Sequence, residues 1–298
     1  MPRLQIGIIG ETGQLARAIR SVASEYDADF KFFGRTNVDL ALPEDELNSS
    51  LTQLNDVDVV INAAAYTAVD LAEDERDLAF ATNFNGPRVI ADYCNRNSKS
   101  LVHVSTDYVF DGKSKRPYLS DHTVAPLGVY GESKLAGEDA VKTSGCPYVI
   151  LRTSWVYDGS GKNFMTTMLR VGKTRDVLTV VNDQLGRPTF AKDLARACIV
   201  AGQELQDAPE KRKGTYHFTG SGDVISWADF AREIFKTASQ YSKYTVEVKN
   251  VPSSEYPTKA RRPSYSALDN STFSTTFGYE SPVWQSSLKV AMSDWSKS

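Results

Sequence analysis

Short apolar runs rich in β-branched and aromatic residues alternate with longer amphipathic stretches through the first two-thirds of the chain. The runs predict strands at Leu4–Ile9, Phe30–Phe33, Val57–Ile61, Leu101–Val104, Tyr148–Leu151 and Val177–Val180. The stretches predict helices near Gln14–Ser24, Glu44–Leu54, Leu71–Asn97, Gly131–Thr143, Asn163–Val171 and Ala191–Glu204. Strands that are apolar on both faces and alternate with helices are typical of a parallel sheet covered on two sides. Because crossovers are right-handed, we expect a doubly wound α/β fold.

The last third of the chain has a different pattern. Helices are predicted near Ser226–Ser239 and Val283–Trp295, and the stretch from Tyr241 to Tyr265 is rich in Ser, Tyr and Pro. We expect a Rossmann domain over residues 1–155, to which residues 176–205 return. A smaller C-terminal α/β substrate lobe would take about 156–175 and 206–298 and cover the carboxyl ends of the strands, where open α/β sheets bind ligands.

The balance of charge excludes some classes of partner. The 298 residues include 34 Lys and Arg against 37 Asp and Glu, for a net charge of −3. The two signs are interspersed, so we predict neither a nucleic-acid surface nor contact with an anionic membrane. The first apolar run is too short for a signal segment, and Cys94, Cys146 and Cys198 lack metal-ligand spacing and suit a reducing compartment. We therefore expect a cytoplasmic protein.

The turn after the first predicted strand reads Gly10-Glu11-Thr12-Gly13-Gln14-Leu15-Ala16. Gly10 can form the tight turn, and Gly13 lets the backbone approach a pyrophosphate. A helix that begins near Gly13 would direct its free N–H groups at that anion. The sequence therefore predicts a dinucleotide-binding turn.

The end of the second predicted strand indicates which dinucleotide binds. An NAD site usually has an acidic residue here to hold the ribose 2′-hydroxyl. This strand is followed by Gly34-Arg35, and Arg35 offers a fork-shaped cation to a 2′-phosphate. We expect NADP, with NAD as the other possibility. After the third strand, the small residues Ala63, Ala64 and Ala65 leave room for a cofactor across the sheet.

Tyr130 and Lys134 are four residues apart, on one face of the helix that follows the fourth strand. A tyrosine hydroxyl has a pKa of about 10, and a nearby ammonium moves that pKa toward the range in which a proton donor works. The fourth strand ends in hydroxyl residues that could polarise a substrate carbonyl. Thr106 is the first candidate for that role and Ser105 the second.

Taken together, these motifs resemble the extended short-chain dehydrogenases. The resemblance rests on Gly10-x-x-Gly13, Asn62-Ala63-Ala64-Ala65, Ser105-Thr106-Asp107-Tyr108-Val109-Phe110-Asp111-Gly112 and Tyr130-x-x-x-Lys134. Other stretches are similar to the dTDP-4-dehydrorhamnose reductase family: Tyr66-Thr67-Ala68-Val69-Asp70, Arg152-Thr153-Ser154-Trp155-Val156-Tyr157, Asn163-Phe164, Asn182-Asp183-Gln184-x-Gly186-x-Pro188-Thr189, Tyr256-Pro257-Thr258 and Arg262-Pro263. The resemblance covers essentially the whole chain.

The resemblance implies reduction of the C4 ketone of dTDP-4-dehydro-L-rhamnose with hydride from NAD(P)H. Tyr130 would protonate the C4 alkoxide, while Lys134 would bind the nicotinamide ribose and lower the tyrosine pKa. The sugar would contact Thr106, Asp107 and Trp155. The cofactor would be lined by Gly13, Gln14, Leu15, Asp39, Leu40, Ala63, Ala64 and Ala65. Asn163, Arg187 and Arg262 are candidates for the nucleotide end of the substrate, because a pyrophosphate favours cations and amides.

The same resemblance leaves alternatives open. Some members form a dimer through a magnesium site whose glutamates correspond to Ala18 and Lys192 here, so we expect no metal, and either a monomer or a homodimer. A related dehydratase would have a second carboxylate where this chain has Tyr108. A 4-ketoreductase that yields dTDP-6-deoxy-L-talose, a nucleotide-sugar epimerase and a non-catalytic NADP-binding regulatory subunit remain as other functions.

Overall fold

The computed structural model of the chain describes residues 3–242 and 244–297. Its strands are β1 (Leu4–Ile9), β2 (Ala28–Phe33), β3 (Val59–Asn62), β4 (Ser100–Thr106), β5 (Tyr148–Thr153), β6 (Val156–Tyr157), β7 (Val177–Val181), β8 (Leu185–Gly186), β9 (Thr189–Phe190), β10 (Gly214–His217), β11 (Ile225–Ser226) and β12 (Glu247–Val251). Its helices are α1 (Gln14–Val22), α2 (Glu44–Leu51), α3 (Arg76–Phe80), α4 (Gly86–Arg96), α5 (Val129–Thr143), α6 (Phe164–Gly172), α7 (Ala191–Asp207), α8 (Pro209–Arg212), α9 (Trp227–Ala238), α10 (Ser271–Phe277) and α11 (Trp284–Ser296). Within these described ranges, no helix is long and apolar enough to cross a membrane.

A six-stranded sheet in the order β10-β5-β4-β3-β1-β2 forms the centre of the molecule. Every pairing in it is parallel. The chain runs outward from β1 to β2 and then crosses to β3 on the other side of β1, so the strand order reverses between β1 and β3. Ligands of doubly wound sheets bind beyond the carboxyl ends of the strands at such a reversal. The predicted doubly wound fold is confirmed.

Two apolar layers cover the sheet. On one face, α1 and α7 pack against β1, β3, β4 and β5 around Ile6, Ile19 and Leu194. On the other face, α2, α4 and the end of α5 pack around Leu47 and Ile90. Apolar residues on both faces of each strand account for the continuous apolar runs in the sequence.

A second core lies beyond the carboxyl ends of the strands. Helices α6, α9 and α11 pack together around Tyr157, Phe230 and Leu288. Strands β6 and β9 pair beside this core, so the chain that leaves β5 enters it directly. The groove between this core and the large sheet is therefore bounded by the strand ends on one side and by residues after β5 on the other.

Strand pairing differs from the expected division of the chain in two places. Residues 214–217, predicted to belong to the C-terminal lobe, form β10 and extend the large sheet beside β5. Residues 177–181, predicted to return to that sheet, pair as β7 with β12 instead. The physical reason is visible in β7, where Leu178 and Val180 are buried against α9 while Val177 and Thr179 are exposed. A strand with one buried face suits a small surface sheet, whereas α7 packs on the large sheet.

The single helix predicted over Leu71–Asn97 is interrupted. A 3₁₀ turn, α3 and a π-helical turn at Ala81–Asn85 precede α4. The buried Asn83 in the π turn accepts the Tyr66 N–H (2.9 Å) and donates to Tyr66 O and Ser133 Oγ. A Cβ on Gly137 would lie only 2.1 Å from Asn83 O, so glycine allows α5 to approach this turn. The interruption thereby ties α5 to the segment that follows β3.

Candidate active site

One cavity of about 570 Å³ lies at the carboxyl ends of the central strands, between the sheet and the second core. Its lining contains most of the residues that the sequence predicts for cofactor, reaction and sugar: Gly10, Gly13, Gln14, Leu15, Arg35, Asp39, Leu40, Ala63, Ala64, Ala65, Thr106, Asp107, Tyr130, Lys134, Trp155 and Asn163. The fold therefore gathers residues from almost the whole sheet around one volume.

The turn after β1 has the geometry of an anion-binding cradle. Gly10 has a φ of +112°, and a Cβ there would lie 3.1 Å from Ala64 N, so only glycine fits against the residues after β3. Gly13 caps α1 without a side-chain hydrogen bond. A Cβ on Gly13 would have Gly10 O as its nearest neighbour, at 4.0 Å, so there is open space beside this residue. The first N–H groups of α1 are thus available to a phosphate.

An acid and a cation both lie at the carboxyl end of β2. Arg35 is exposed and lines the cavity, as predicted. Glu11, from the turn after β1, reaches over Gly34: a Cβ on Gly34 would lie 2.7 Å from Glu11 Oε2. Glu11 also pairs with Arg20 at 3.5 Å. The sequence around β2 does not indicate Glu11, because Glu11 belongs to the turn after the neighbouring strand β1.

Tyr130 and Lys134 line the cavity from successive turns of α5. Lys134 is only 2% exposed, and its Nζ donates to Val104 O at 2.7 Å. The Tyr130 ring packs edge-on against Tyr108 with ring centres 5.3 Å apart. A Cβ on Gly131 would lie 2.2 Å from Tyr108 O, so this glycine lets the start of α5 lie directly against the residues after β4.

Burial dominates the proton affinities of this pair. It raises the pKa of Tyr130, with Asp107 adding to the rise and the Thr106 hydroxyl opposing it. Burial lowers the pKa of Lys134 to about 8, against an opposing effect of Glu138. The expected lowering of the Tyr130 pKa by Lys134 stays a prediction for the protein with its cofactor bound.

Of the two hydroxyl candidates after Val104, the geometry favours Thr106. Ser105 Oγ donates to Glu138 Oε1 at 2.6 Å, away from any substrate carbonyl. Thr106 Oγ1 accepts the Tyr108 N–H and donates to Asp107 Oδ1 at 3.0 Å, on the wall of the cavity. Thr106 also lowers the pKa of Tyr130, so the two hydroxyl groups are close neighbours.

Asp107 is a buried carboxyl group with a free acceptor. Its exposure is 4%, and among the described residues its Oδ2 has no hydrogen-bond partner. Burial raises its pKa to about 6, while bonds from Ser266 and Thr106 act in the opposite direction. Buried polar atoms in native proteins nearly always have a partner. An acceptor on a cavity wall is well suited to a ligand hydroxyl.

Trp155 stands at the boundary between the sheet and the second core in a strained conformation. Its φ of +50° lies in the left-handed region, which is uncommon for a residue other than glycine. Its ring stacks on Trp227 at 3.6 Å, and a Cβ on Gly186 would lie 2.7 Å from the ring. Strain of this kind is found preferentially at functional sites.

The three residues predicted for the nucleotide end of the substrate do not all lie on the cavity. Asn163 lines the cavity, but its side chain caps α6 and donates to Asp158 O. Arg187 and Arg262 are outside the lining. Arg187 donates to Leu268 O, and Arg262 binds Asp70 at 2.8 Å and reaches the Tyr108 hydroxyl at 3.3 Å. Arg262 therefore contacts the cavity wall through Tyr108.

The lining also contains Lys162 and Tyr108, which the sequence analysis does not assign to the site. Lys162 is exposed and follows the glycine-rich turn Gly159-Ser160-Gly161, a combination that could have drawn attention to an anion site. Tyr108 belongs to the motif that carries the family resemblance, but its place beside Tyr130 depends on the packing of α5.

Comparison with known proteins identifies the family. The family model described as "RmlD substrate binding domain" matches residues 4–296. A dTDP-4-dehydrorhamnose reductase from Sinorhizobium fredii is 39% identical over 287 residues, which cover 96% of each chain. The chain belongs to the dTDP-4-dehydrorhamnose reductase family. The resemblance noted in the sequence motifs is thereby confirmed.

Two solved structures of the same family match the whole fold. A dTDP-4-dehydrorhamnose reductase from Clostridium acetobutylicum is 38% identical, with a TM-score of 0.88 over 97% of this chain and 99% of that one. A dTDP-4-dehydrorhamnose reductase from Bacillus anthracis, solved in complex with NADP, is 33% identical, with a TM-score of 0.89 over 98% and 100%. The likeness therefore includes the second core as well as the large sheet.

Proposed function

We propose that this chain reduces the C4 ketone of dTDP-4-dehydro-L-rhamnose to dTDP-L-rhamnose with NADPH. The observation that carries the proposal is the convergence of Tyr130, Lys134 and Thr106 on the cavity that begins at the Gly10–Gly13 cradle. The relatives over nearly the full length have this activity in their names, and one was solved with NADP.

The residues around the cradle fit a dinucleotide. The N–H groups at the start of α1 would bind the pyrophosphate, Arg35 the 2′-phosphate, and Lys134 the hydroxyls of the nicotinamide ribose. When bound, the reduced nicotinamide supplies the hydride for the ketone carbon. Glu11 beside Gly34 could accept a bond from a ribose 2′-hydroxyl, which leaves NAD as a usable second cofactor.

Tyr130 is the proton donor of the proposed reaction. Because its pKa is raised, its hydroxyl keeps its proton at neutral pH and can give it to the C4 alkoxide. Thr106 would turn its hydroxyl proton from Asp107 Oδ1 toward the same oxygen as negative charge develops there. Lys134, one turn along α5, would then stabilise the phenolate until a proton returns from solvent.

The sugar would lie between Asp107 and Trp155. The free Oδ2 of Asp107 would accept a bond from a sugar hydroxyl, and the Trp155 ring offers an apolar plane held by Trp227. Lys162, at the exposed side of the cavity, would supply a cation for a phosphate of the nucleotide. Arg262 would act indirectly, by fixing the Tyr108 hydroxyl.

The test is to supply dTDP-4-dehydro-L-rhamnose and NADPH to the purified protein and to identify the sugar product. We expect loss of NADPH absorbance and formation of dTDP-L-rhamnose. Formation of dTDP-6-deoxy-L-talose would mean that the same reduction takes place, with hydride delivered to the opposite face of C4. Binding of NADPH without turnover would contradict the proposal and favour a regulatory subunit.

A further inference from the structure

His103 lies behind the active site, in contact with Lys134, and the inference about it rests on the function proposed above. It is on β4 and has no exposed surface. Its Nε2 lies 3.5 Å from Lys134 Nζ, and its Nδ1 lies 3.2 Å from Asn62 Nδ2. His103 thus connects β3 to the reactive face of α5 through the interior of the protein.

The contacts of Asn62 determine which nitrogen of His103 carries the proton. Asn62 Oδ1 accepts the Ala64 N–H at 3.2 Å, so the Asn62 amide nitrogen faces His103 and donates to Nδ1. A neutral imidazole that accepts at one nitrogen carries its proton on the other. Burial holds the pKa of His103 well below its usual range, so the ring is neutral. His103 therefore presents an N–H group to Lys134.

An ammonium group cannot accept a hydrogen bond from that N–H, because it has three donors and no acceptor. An uncharged amine can accept it through its lone pair. The amine can still donate to Val104 O, which lies 2.7 Å from Lys134 Nζ. The surroundings of Lys134 therefore favour the uncharged form beyond the effect of burial.

We propose that His103 is a positioning residue that shifts the protonation equilibrium of Lys134 toward the uncharged amine in the free protein, and that NADPH binding draws a proton from solvent onto Lys134. The ribose hydroxyls accept bonds from an ammonium group, and the phosphates of the cofactor favour positive charge in the cavity. Lys134 would gain one proton and no electrons in this step. The proposal makes cofactor binding and lysine protonation a coupled event.

The other ionisable groups near Lys134 do not change their protonation state at the pH where proton uptake is measured. Glu138 follows on α5 and is held ionised by Arg152, which with Ser105 and Lys142 lowers its pKa against burial. Tyr130 precedes on α5 and has a raised pKa. Asp107, after β4, has a pKa of about 6. At pH 8.5, a proton taken up near the cofactor therefore belongs to Lys134, whose pKa is about 8.

The experiment is calorimetry of NADPH binding at pH 8.5 in two buffers with different ionisation enthalpies, which gives the number of protons taken up. With a pKa of about 8, roughly three-quarters of Lys134 is uncharged at this pH, so the native protein should take up most of one proton. His103→Phe removes the N–H donor and fills its volume. This variant keeps the burial that lowers the Lys134 pKa to about 8, so the two proteins are compared at pH 7.5. There the variant should take up about a quarter of a proton and the native protein at least twice as much.

A second variant keeps the histidine and reverses its tautomer. In Asn62→Asp, the carboxylate accepts a hydrogen bond from the Nδ1–H of His103, so Nε2 is left to accept from the ammonium of Lys134 and proton uptake falls as well. The matched control is His217→Phe. His217 is equally buried, with Nδ1 at Tyr118 O, and is outside the cavity lining, so its loss should leave proton uptake unchanged.

The outcomes separate the inference from the function on which it rests. Native protein that binds NADPH without proton uptake overturns the role of His103 and leaves the proposed function intact. Unchanged uptake in the folded variants of His103 or Asn62 does the same. Absence of NADPH binding by the native protein contradicts the proposed function, and the inference about His103 falls with it.

Discussion

Glu138 and Arg152 form a bidentate ion pair in the interior, with Arg152 Nε 2.8 Å from Oε1 and Nη2 2.6 Å from Oε2. Glu138 follows Lys134 by one turn on α5, and Arg152 belongs to β5. Ser105 of β4 donates to the same carboxylate at 2.6 Å. The helix that carries Tyr130 and Lys134 is therefore fixed to two strands of the sheet, which holds the phenol in register with the strand ends.

This ion pair should be essential for stability. Arg152→Met leaves the Glu138 carboxylate buried without its cation, and we expect the free energy of unfolding to fall by about 3–5 kcal/mol. Urea denaturation at pH 7 measures the change. The control is Arg76→Met, because Arg76 and its partner Glu132 are largely exposed, and it should cost less than about 1 kcal/mol. Similar losses in both variants would contradict this account.

Asp107 should reduce stability at neutral pH. Its pKa is raised from 3.8 to about 6, so the folded protein holds this proton more tightly than the unfolded chain does. The resulting stabilisation is complete below pH 4 and is lost as the pH rises through 6. Asp107→Asn removes this loss and should be more stable than the native protein by about 2–3 kcal/mol at pH 7, with no such gain below pH 4.

Urea midpoints at both pH values test the Asp107 prediction. A stability difference that does not change with pH would show that Asp107 titrates normally. The same variant should bind the nucleotide sugar more weakly, because the amide nitrogen that replaces Oδ2 cannot accept a bond from a sugar hydroxyl. Gain of stability with loss of affinity is the pattern expected of a residue kept for function.

Arg35 should determine the preference for NADPH over NADH. Arg35→Ala removes the charge-assisted bond to the 2′-phosphate, so the Kd for NADPH should rise about tenfold or more while the Kd for NADH hardly changes. Fluorescence titration with each cofactor measures both constants. An equal effect on the two cofactors would mean that Arg35 is only a solvated residue.

Glu11→Gln is the matched opposite of that variant. Its carboxylate lies at the same strand end and repels a 2′-phosphate, so its neutralisation should strengthen NADPH binding relative to NADH. The two variants should therefore move the ratio of the dissociation constants in opposite directions. A shift in the same direction would contradict the assignment of this strand end to the ribose.

Features that depend on neighbouring positions in the chain could be predicted from the sequence. The dinucleotide turn is a local strand-turn-helix unit, and the spacing of Tyr130 and Lys134 puts both on one face of a helix whatever the helix packs against. The cavity lining includes both sets of residues. The parallel sheet follows from strands that are apolar on both faces.

Features that depend on contacts between distant segments could not be predicted in this way. Glu11 reaches the end of β2 from the turn after β1, and the effect of His103 depends on Asn62 from another strand. Strand β10 has only four residues, and nothing in so short a run indicates that it pairs with β5. The engagement of Ser105 with Glu138 likewise depends on how α5 packs on the sheet.

Tyr130 should be required for turnover and not for cofactor binding. Tyr130→Phe removes the proton donor while its ring still packs against Tyr108, so turnover should fall at least about 100-fold. The Kd for NADPH should stay within about twofold of the native value, since the hydroxyl contributes little to cofactor affinity. Steady-state rates and fluorescence titration measure the two quantities. Undiminished turnover would exclude Tyr130 as the acid.

The most direct test of the account follows the hydride itself. Native protein is incubated with dTDP-4-dehydro-L-rhamnose and NADPH that carries deuterium at the transferred position of the nicotinamide, and the product is examined by mass spectrometry and NMR. We predict dTDP-L-rhamnose with deuterium at C4 and one NADPH oxidised for each sugar formed. A product with deuterium at another carbon, or an altered sugar formed without net oxidation of NADPH, would contradict the proposed reduction.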